Sequence, residues 1–134
     1  MSGRVALAVA VLSAALVVPA AGATASTSLR ITVWPHGKGK GGSKSWTLSC
    51  NPLGGTLPKR VNACRRLAVL RTPFAPVPPD AVCTQIYGGP AVAYVRGTFR
   101  GRPVRAWFNR QDGCEIDRWS RVGVLFPIGT AATG

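Results

Sequence analysis

Residues Val82-Cys83-Thr84-Gln85-Ile86-Tyr87-Gly88-Gly89-Pro90 are the part of this chain best suited to chemistry with another protein. A cysteine heads a short run of polar, β-branched and aromatic residues. A Gly-Gly-Pro stop closes the run, and Pro78 and Pro79 stand just upstream. Such a segment makes poor helix and is punctuated on both sides. A disulfide at Cys83 would hold the residues after it extended and exposed, with the anchor two residues before Gln85. A rigid, extended, exposed peptide is what a protease binds as substrate, so the segment reads as the binding loop of a substrate-like protease inhibitor.

Other chemistries find few residues to carry them. His36 is the single histidine and sits in a Gly/Lys-rich stretch, and no nucleophile motif or paired carboxylate accompanies it. The chain therefore does not read as an enzyme. Asp112, Glu115 and Asp117 cluster, but beside Arg110 and Arg118, which fits surface ion pairing; their spacing is not that of a calcium loop. No Cys-x-x-Cys pair exists for zinc, and nothing calls for a metal or cofactor.

Several features of the whole chain set the context for the segment. Arg4 precedes an apolar run from Val5 to Val18, broken only by Ser13 and ended by Pro19, with small residues after it. This is the pattern of a secretory signal peptide over residues 1–25, cleaved after Ala23 or Ala25. The run is shorter than the roughly 20 residues a membrane span needs. A secreted, extracellular domain of residues 26–134 is expected, with no membrane span. In an exported chain an even number of cysteines implies disulfides. Cys50, Cys64, Cys83 and Cys114 allow three pairings, and proximity in sequence favours Cys50–Cys64 and Cys83–Cys114.

The charge is lopsided. Lys and Arg total 17 against 4 Asp and Glu, a formal net charge of +13. Loss of Arg4 with the leader leaves +12. Such a chain is drawn to acidic surfaces. Its basic residues are spread along the sequence without a recognition helix or a stacking-aromatic module, so no specific nucleic-acid role is expected.

Coarse secondary structure follows from periodicity. Leu29, Ile31 and Val33 alternate with Arg30, Thr32 and Trp34, and Trp46, Leu48 and Cys50 alternate with Ser45, Thr47 and Ser49; both are half-buried strands. A basic loop from His36 to Ser45 joins them, and Pro52 to Thr56 reads as a turn. A helix is expected from Pro58 to Leu70, with Val61, Cys64, Leu67 and Ala68 on its inner face. Prolines from Thr72 to Pro79 predict a stiff, extended lead into the loop. Ala91–Phe99 and Pro103–Arg110 form a hairpin. Its inner face carries Ala93, Val95, Phe99, Val104, Ala106 and Phe108; Tyr94, Arg96, Thr98, Arg105 and Trp107 lie on the outer face. Arginine stacked on tryptophan in solvent and a subunit interface are equal readings of that outer face. A short helical turn at Glu115–Trp119 and a final strand at Val122–Phe126 complete an α+β fold. It comprises a five-stranded antiparallel sheet, one main and one short helix, and two disulfides.

With these elements in order, the chain resembles the Streptomyces subtilisin inhibitor family. The match runs through Thr47-Leu48-Ser49-Cys50, Pro52, Gly55, Cys64, Leu67 and Phe74. It continues through Cys83-Thr84-Gln85-Ile86-Tyr87, Pro90, Gly97, Gly101, Val104 and Cys114, spanning about residues 29–126. The resemblance implies the same five-stranded sheet with two helices, pairing of first with second and third with fourth cysteine, and homodimers joined through sheet faces. It places the reactive bond at Gln85–Ile86, with Val82 and Thr84 in the preceding subsites and Tyr87 in a following one. The partner it implies is an extracellular serine protease of subtilisin type.

Three departures from the family pattern carry expectations. Gly88 and Gly89 stand where one residue usually separates tyrosine from proline, which predicts a looser loop. Asp112 replaces the asparagine that braces the loop, with Asn109 nearby. Gln85 replaces the usual Met, Lys or Arg. Together they keep open a second reading, a basic exported protein of the same fold that binds cell-envelope polymers or acidic partners.

Overall fold

The structure, a computed structural model, describes residues 3–17 and 25–128. Residues 3–17 have no regular secondary structure and leave their apolar side chains exposed. The Ala23 cleavage site and Val18, the last residue of the apolar run, lie outside the described residues. No helix among those described is long and apolar enough to cross a membrane.

Alternating burial builds the sheet. β1 (Thr27–Trp34) buries every second residue, with Leu29, Ile31 and Val33 inside. It lies at the centre of five antiparallel strands. On one side it pairs with β2 (Lys44–Cys50), which in turn pairs with β3 (Gly54–Gly55). On the other it pairs with β4 (Val92–Phe99), followed by β5 (Arg102–Phe108), giving the order β3-β2-β1-β4-β5. Ala93, Val95, Val104, Ala106 and Phe108 face inward, as their alternation predicts.

One face of the sheet is covered by α1 (Arg60–Val69), α2 (Gly113–Arg121) and a 3-10 turn at Gly123–Leu125. Leu57, Leu67, Trp119, Val122, Leu125 and Phe126 fill the space between. Phe126 packs on Phe108 and Trp119, with ring centroids 5.1 and 4.5 Å away. Cys50–Cys64 ties α1 to the end of β2, and Cys83–Cys114 ties the 82–90 segment to the first turn of α2.

The fold class stands as expected, but its fifth strand lies elsewhere. Val122–Phe126 is not a strand. The chain leaves α2 directly into the 3-10 turn and buries Val122, Leu125 and Phe126, a helical spacing. A strand would have buried Val124 in place of Leu125, and Val124 is half-buried. Short apolar runs do not distinguish the two by composition. The missing strand is Gly54–Gly55, inside the expected turn, where it pairs with Leu48 and Ser49.

The inner face of α1 also shifts. Its buried residues are Ala63 and Leu67 with Cys64 partly covered, while Val61 is 52% exposed and Ala68 lies outside. The helix starts at Arg60, two residues after Pro58, with Lys59 as a left-handed N-cap whose side chain makes no capping bond. The other end is capped from a distance. The Arg100 guanidinium, on the β4–β5 turn, donates to the carbonyls of Leu67, Ala68 and Leu70 at 3.0–3.1 Å. A cation there satisfies orphan carbonyls and opposes the negative end of the helix dipole.

Candidate functional site

The stretch leading into the candidate loop is held by one arginine. Arg118, on α2, is largely buried against the Phe108 ring, 4.0 Å from its centroid. Its Nε donates to the Ala75 carbonyl at 2.7 Å, and its Nη1 to the Trp107 carbonyl at 2.6 Å and the Glu115 carboxylate at 3.3 Å. The proline-rich segment is thereby stapled to both β5 and α2. Its prolines limit backbone freedom further.

From Pro79 the chain runs outward. Val82 is 99% exposed, Ile86 59% and Tyr87 66%, and Thr84 and Gln85 are exposed as well. No regular secondary structure occurs from Ala81 to Gly89. The segment is nevertheless fixed at two points. On the first side, Cys83 is bonded to Cys114, and the Gly113 N–H donates to the Thr84 carbonyl at 2.9 Å. A side chain at Gly113 would collide with Thr84 Oγ1, so glycine permits this approach.

On the second side, Arg110 clamps Gly88 twice. The Gly88 N–H donates to the Arg110 carbonyl at 2.7 Å, and Arg110 Nε donates to the Gly88 carbonyl at 2.8 Å. The guanidinium lies 5.6 Å from the centroid of the buried Trp119 ring. Gly88 is thus a point of close contact. A Cβ there would sit 2.8 Å from the Ile116 side chain and 3.2 Å from Arg110 Cβ. The looseness expected of the Gly-Gly pair is absent at Gly88, and Gly89, at φ 110°, makes the turn toward Pro90.

Between these anchors Gln85, Ile86 and Tyr87 stand clear of the body. A held segment with three free residues at its crest can enter a partner's cleft as an extended strand, forming backbone hydrogen bonds there.

The expected bracing residues do other work. The Asp112 carboxylate accepts from the Glu115 N–H at 3.0 Å, as the N-cap of α2. Asn109 accepts from Gln111 N–H and does not reach the loop. Glu115 pairs with Arg118 and Asp117 with Arg121, so the acidic cluster is spent on caps and ion pairs. Cys83, Asp112 and Cys114 offer ligand atoms within 4.8 Å of one another, but both sulfurs belong to the disulfide. The Asp112 carboxylate, already the N-cap of α2, makes no metal site by itself.

Arg110 and Gly113 are the site residues that sequence reading missed. Both lie more than 20 residues from the segment they hold, and no local pattern marks them.

The outer sheet face carries an aromatic group at one end. Trp107, 46% exposed, stacks on Tyr94 at 4.4 Å and Trp34 at 5.8 Å between centroids, and Lys38 Nζ lies 4.4 Å from the Trp107 centroid. The cation on the tryptophan is a lysine from the β1–β2 loop.

A family model described as subtilisin inhibitor-like matches residues 25–111, a span that includes the whole 82–90 segment. Among solved structures, the chain is similar to Streptomyces caespitosus sermetstatin, in a crystal structure of that protein in complex with Bacillus licheniformis subtilisin. The two are 22% identical with a TM-score of 0.49, over 77% of this chain and 99% of that one. A comparison with curated proteins finds no match.

Proposed function

The chain belongs to the subtilisin inhibitor-like family, and from that premise we propose that it is an exported, substrate-like inhibitor of subtilisin-type serine endopeptidases with Gln85–Ile86 as its reactive bond. The observation that carries this is the double anchoring: Cys83 and Thr84 are held on one side and Gly88 on the other, with Gln85, Ile86 and Tyr87 free between. Residues 1–25 serve as the export signal and residues 26–134 as the inhibitor domain. The protein works outside the cell, with the protease as its partner.

Binding presents the Gln85 carbonyl to the catalytic serine. Gln85 fills the primary pocket, Thr84 and Val82 the preceding subsites and Tyr87 a following one. A loop already held in shape loses little entropy on docking, which favours affinity. Such contacts bury roughly 1,600 Å². If the bond is cut, Cys83–Cys114 and the Thr84–Gly113 bond keep the acyl side in place. Arg110 keeps the amine side in place through Gly88. The new amine at Ile86 stays near the acyl carbon, and re-ligation at high effective molarity competes with hydrolysis. Gln85 has neither a cation for a trypsin-like pocket nor a ring for a chymotrypsin-like one, so the broader subtilisin pocket suits it best.

The aromatic group Trp34, Tyr94 and Trp107 is the surface through which two copies would pair, since partly exposed aromatic side chains are enriched at interfaces.

Titration of the disulfide-bonded protein against subtilisin and trypsin, with mass spectrometry of the mixtures, tests the reading. Stoichiometric subtilisin inhibition with slow cleavage at Gln85–Ile86 alone is the expected result. Rapid proteolysis, or inhibition of neither enzyme, would overturn it and leave the fold assignment intact.

A further inference from the structure

Sheet register places a second segment beside the candidate loop. Trp34, the last residue of β1, pairs with Val92, the first of β4. The chain therefore enters β4 from the crest at the same end of the sheet where β1 passes into the β1–β2 loop. The two segments touch there. Gly37 is half-buried, and a Cβ on it would lie 3.3 Å from the Pro90 carbonyl oxygen. Pro90 is four residues beyond Ile86, so it lies at most about 14 Å away. A protease–inhibitor contact covers about 800 Å² on each partner, a patch about 16 Å in radius. Centred on Gln85–Ile86, such a patch reaches the β1–β2 loop on the side of the leaving amine.

This loop is held in shape by two successive turns. The Gly37 N–H donates to the Trp34 carbonyl at 3.2 Å, and the Lys40 N–H donates to the Gly37 carbonyl at 3.3 Å. The chain has four lysines, and three of them, Lys38, Lys40 and Lys44, are here; the other is Lys59. All four are exposed. No carboxylate among the described residues pairs with them, since both ion pairs lie within α2. Asp80, the one acidic residue outside α2 and its cap, precedes the crest, in the leading segment.

Lys38 lies over Trp107, in the aromatic group assigned above to pairing of two copies. The same face carries Arg30, Arg96 and Arg105 in a row, made neighbours by the register. A dimer would cover that face. Lys44 has the opposite parity, that of Leu48 and Cys50, and so lies on the helix side of the sheet, as the crest does. Lys40 stands in mid-loop between two glycines at positive φ.

We propose that Lys40 and Lys44 make a second contact with the target protease, received by carboxylates on the protease rim beside its leaving-group subsites. The inference rests on the reading of the 82–90 segment as the docking loop and adds a partner class to it: subtilisin-type proteases with an acidic rim on that side. Lysine is a compact charge on a flexible stem, suited to carboxylates whose positions differ between proteases. Exposed ion pairs add little affinity. The contact therefore acts on the approach, because complementary rim charges speed association more than they slow dissociation.

Amine acetylation, read by mass spectrometry on the disulfide-bonded protein alone and saturated with subtilisin, tests the contact. Labelling of Lys40 and Lys44 should fall severalfold in the complex. Lys59, at the start of the helix that Cys50–Cys64 ties to the far end of β2, is the internal reference and should not change. Association kinetics give a second readout. Lys40→Glu/Lys44→Glu should bind subtilisin roughly threefold to tenfold more slowly than the parent at about 50 mM salt, with the gap closing by about 500 mM. The equal-charge control Arg60→Glu/Arg65→Glu, on the exposed side of α1, should slow association much less. Inhibition by the parent with Lys40 and Lys44 labelled as in the free protein would overturn the second contact and leave the docking loop standing. So would equal slowing in the two variants, or protection that extends to Lys59. Absence of any complex with subtilisin would overturn both readings.

Discussion

On the proposed reading, individual side chains decide whether a protease is held by the 82–90 segment or cuts it. Arg110 makes one of the two hydrogen bonds on the far side of the crest through its guanidinium and is itself placed over Trp119. Arg110→Ala keeps the backbone bond from Gly88 N–H but removes the charged donor, a loss of about 1.5–3 kcal/mol for a bond of this type. The proposed consequence is hydrolysis of Gln85–Ile86 by subtilisin that is roughly tenfold to a hundredfold faster, read by a mass-spectrometric time course; an unchanged rate would mean the clamp is idle. Gln85 is a weak occupant of an apolar pocket. Gln85→Leu gains apolar burial worth about 1.5–3 kcal/mol at most, so the inhibition constant should fall by about tenfold. A constant indifferent to residue 85 would point away from this loop.

At the scale of elements, the arginines behave as long-range caps and staples. α1 has a left-handed N-cap without a side-chain bond and no acidic residue in its first turn, so its N-terminus is poorly capped. Its C-terminus depends on Arg100, which reaches it from the β4–β5 turn. Arg100→Ala should lower unfolding stability by about 1–2 kcal/mol. In a urea titration the midpoint would move down with little change in slope. A substitution without effect would show that water satisfies those carbonyls equally well. The leading segment behaves similarly: proline makes it stiff, but the Arg118 staple determines where it points.

For the whole molecule, cross-links and charge are the governing quantities. The described core is a single layer of side chains between one sheet face and two short helices, and a domain of this size gains from disulfides. Cys83–Cys114 spans 31 residues, and its loss should cost on the order of 3–4 kcal/mol. The double variant Cys83→Ser/Cys114→Ser should therefore unfold at lower denaturant. It should also be cleaved rapidly where the parent inhibits, and slow cleavage would show that hydrogen bonds alone hold the loop. Pairing of two copies through the outer face would bring like-charged rows toward each other. Dimerisation followed by sedimentation equilibrium should accordingly strengthen as salt rises from about 50 to 500 mM, because screening weakens repulsion between exposed charges. A dimer that loosens with salt would place the interface elsewhere.

Period-two alternation identified β1, β2, β4, β5 and their inner faces, because a strand's burial is written in neighbouring residues. Cysteine order and spacing marked the pairings and the exposed segment beyond Cys83. The apolar run Val122–Phe126 was ambiguous for a local reason: its fate depends on whether α2 has already placed it over the sheet. β3 was invisible because two glycines carry no pattern. The loop's rigidity was misread for a different reason. Gly88 and Gly89 suggest slackness as a pair, yet Gly88 is held by Arg110 and packed against Ile116. The row of arginines shows the same division. Each is an ordinary polar position in its own strand, and only the register makes the three neighbours. Sequence by itself determined the alternation, the cysteine framework and the excess of positive charge, all of which are properties of the chain read in order. Tertiary structure decided which distant residues hold the loop and where the charges converge, because those contacts join positions that sequence separates by tens of residues.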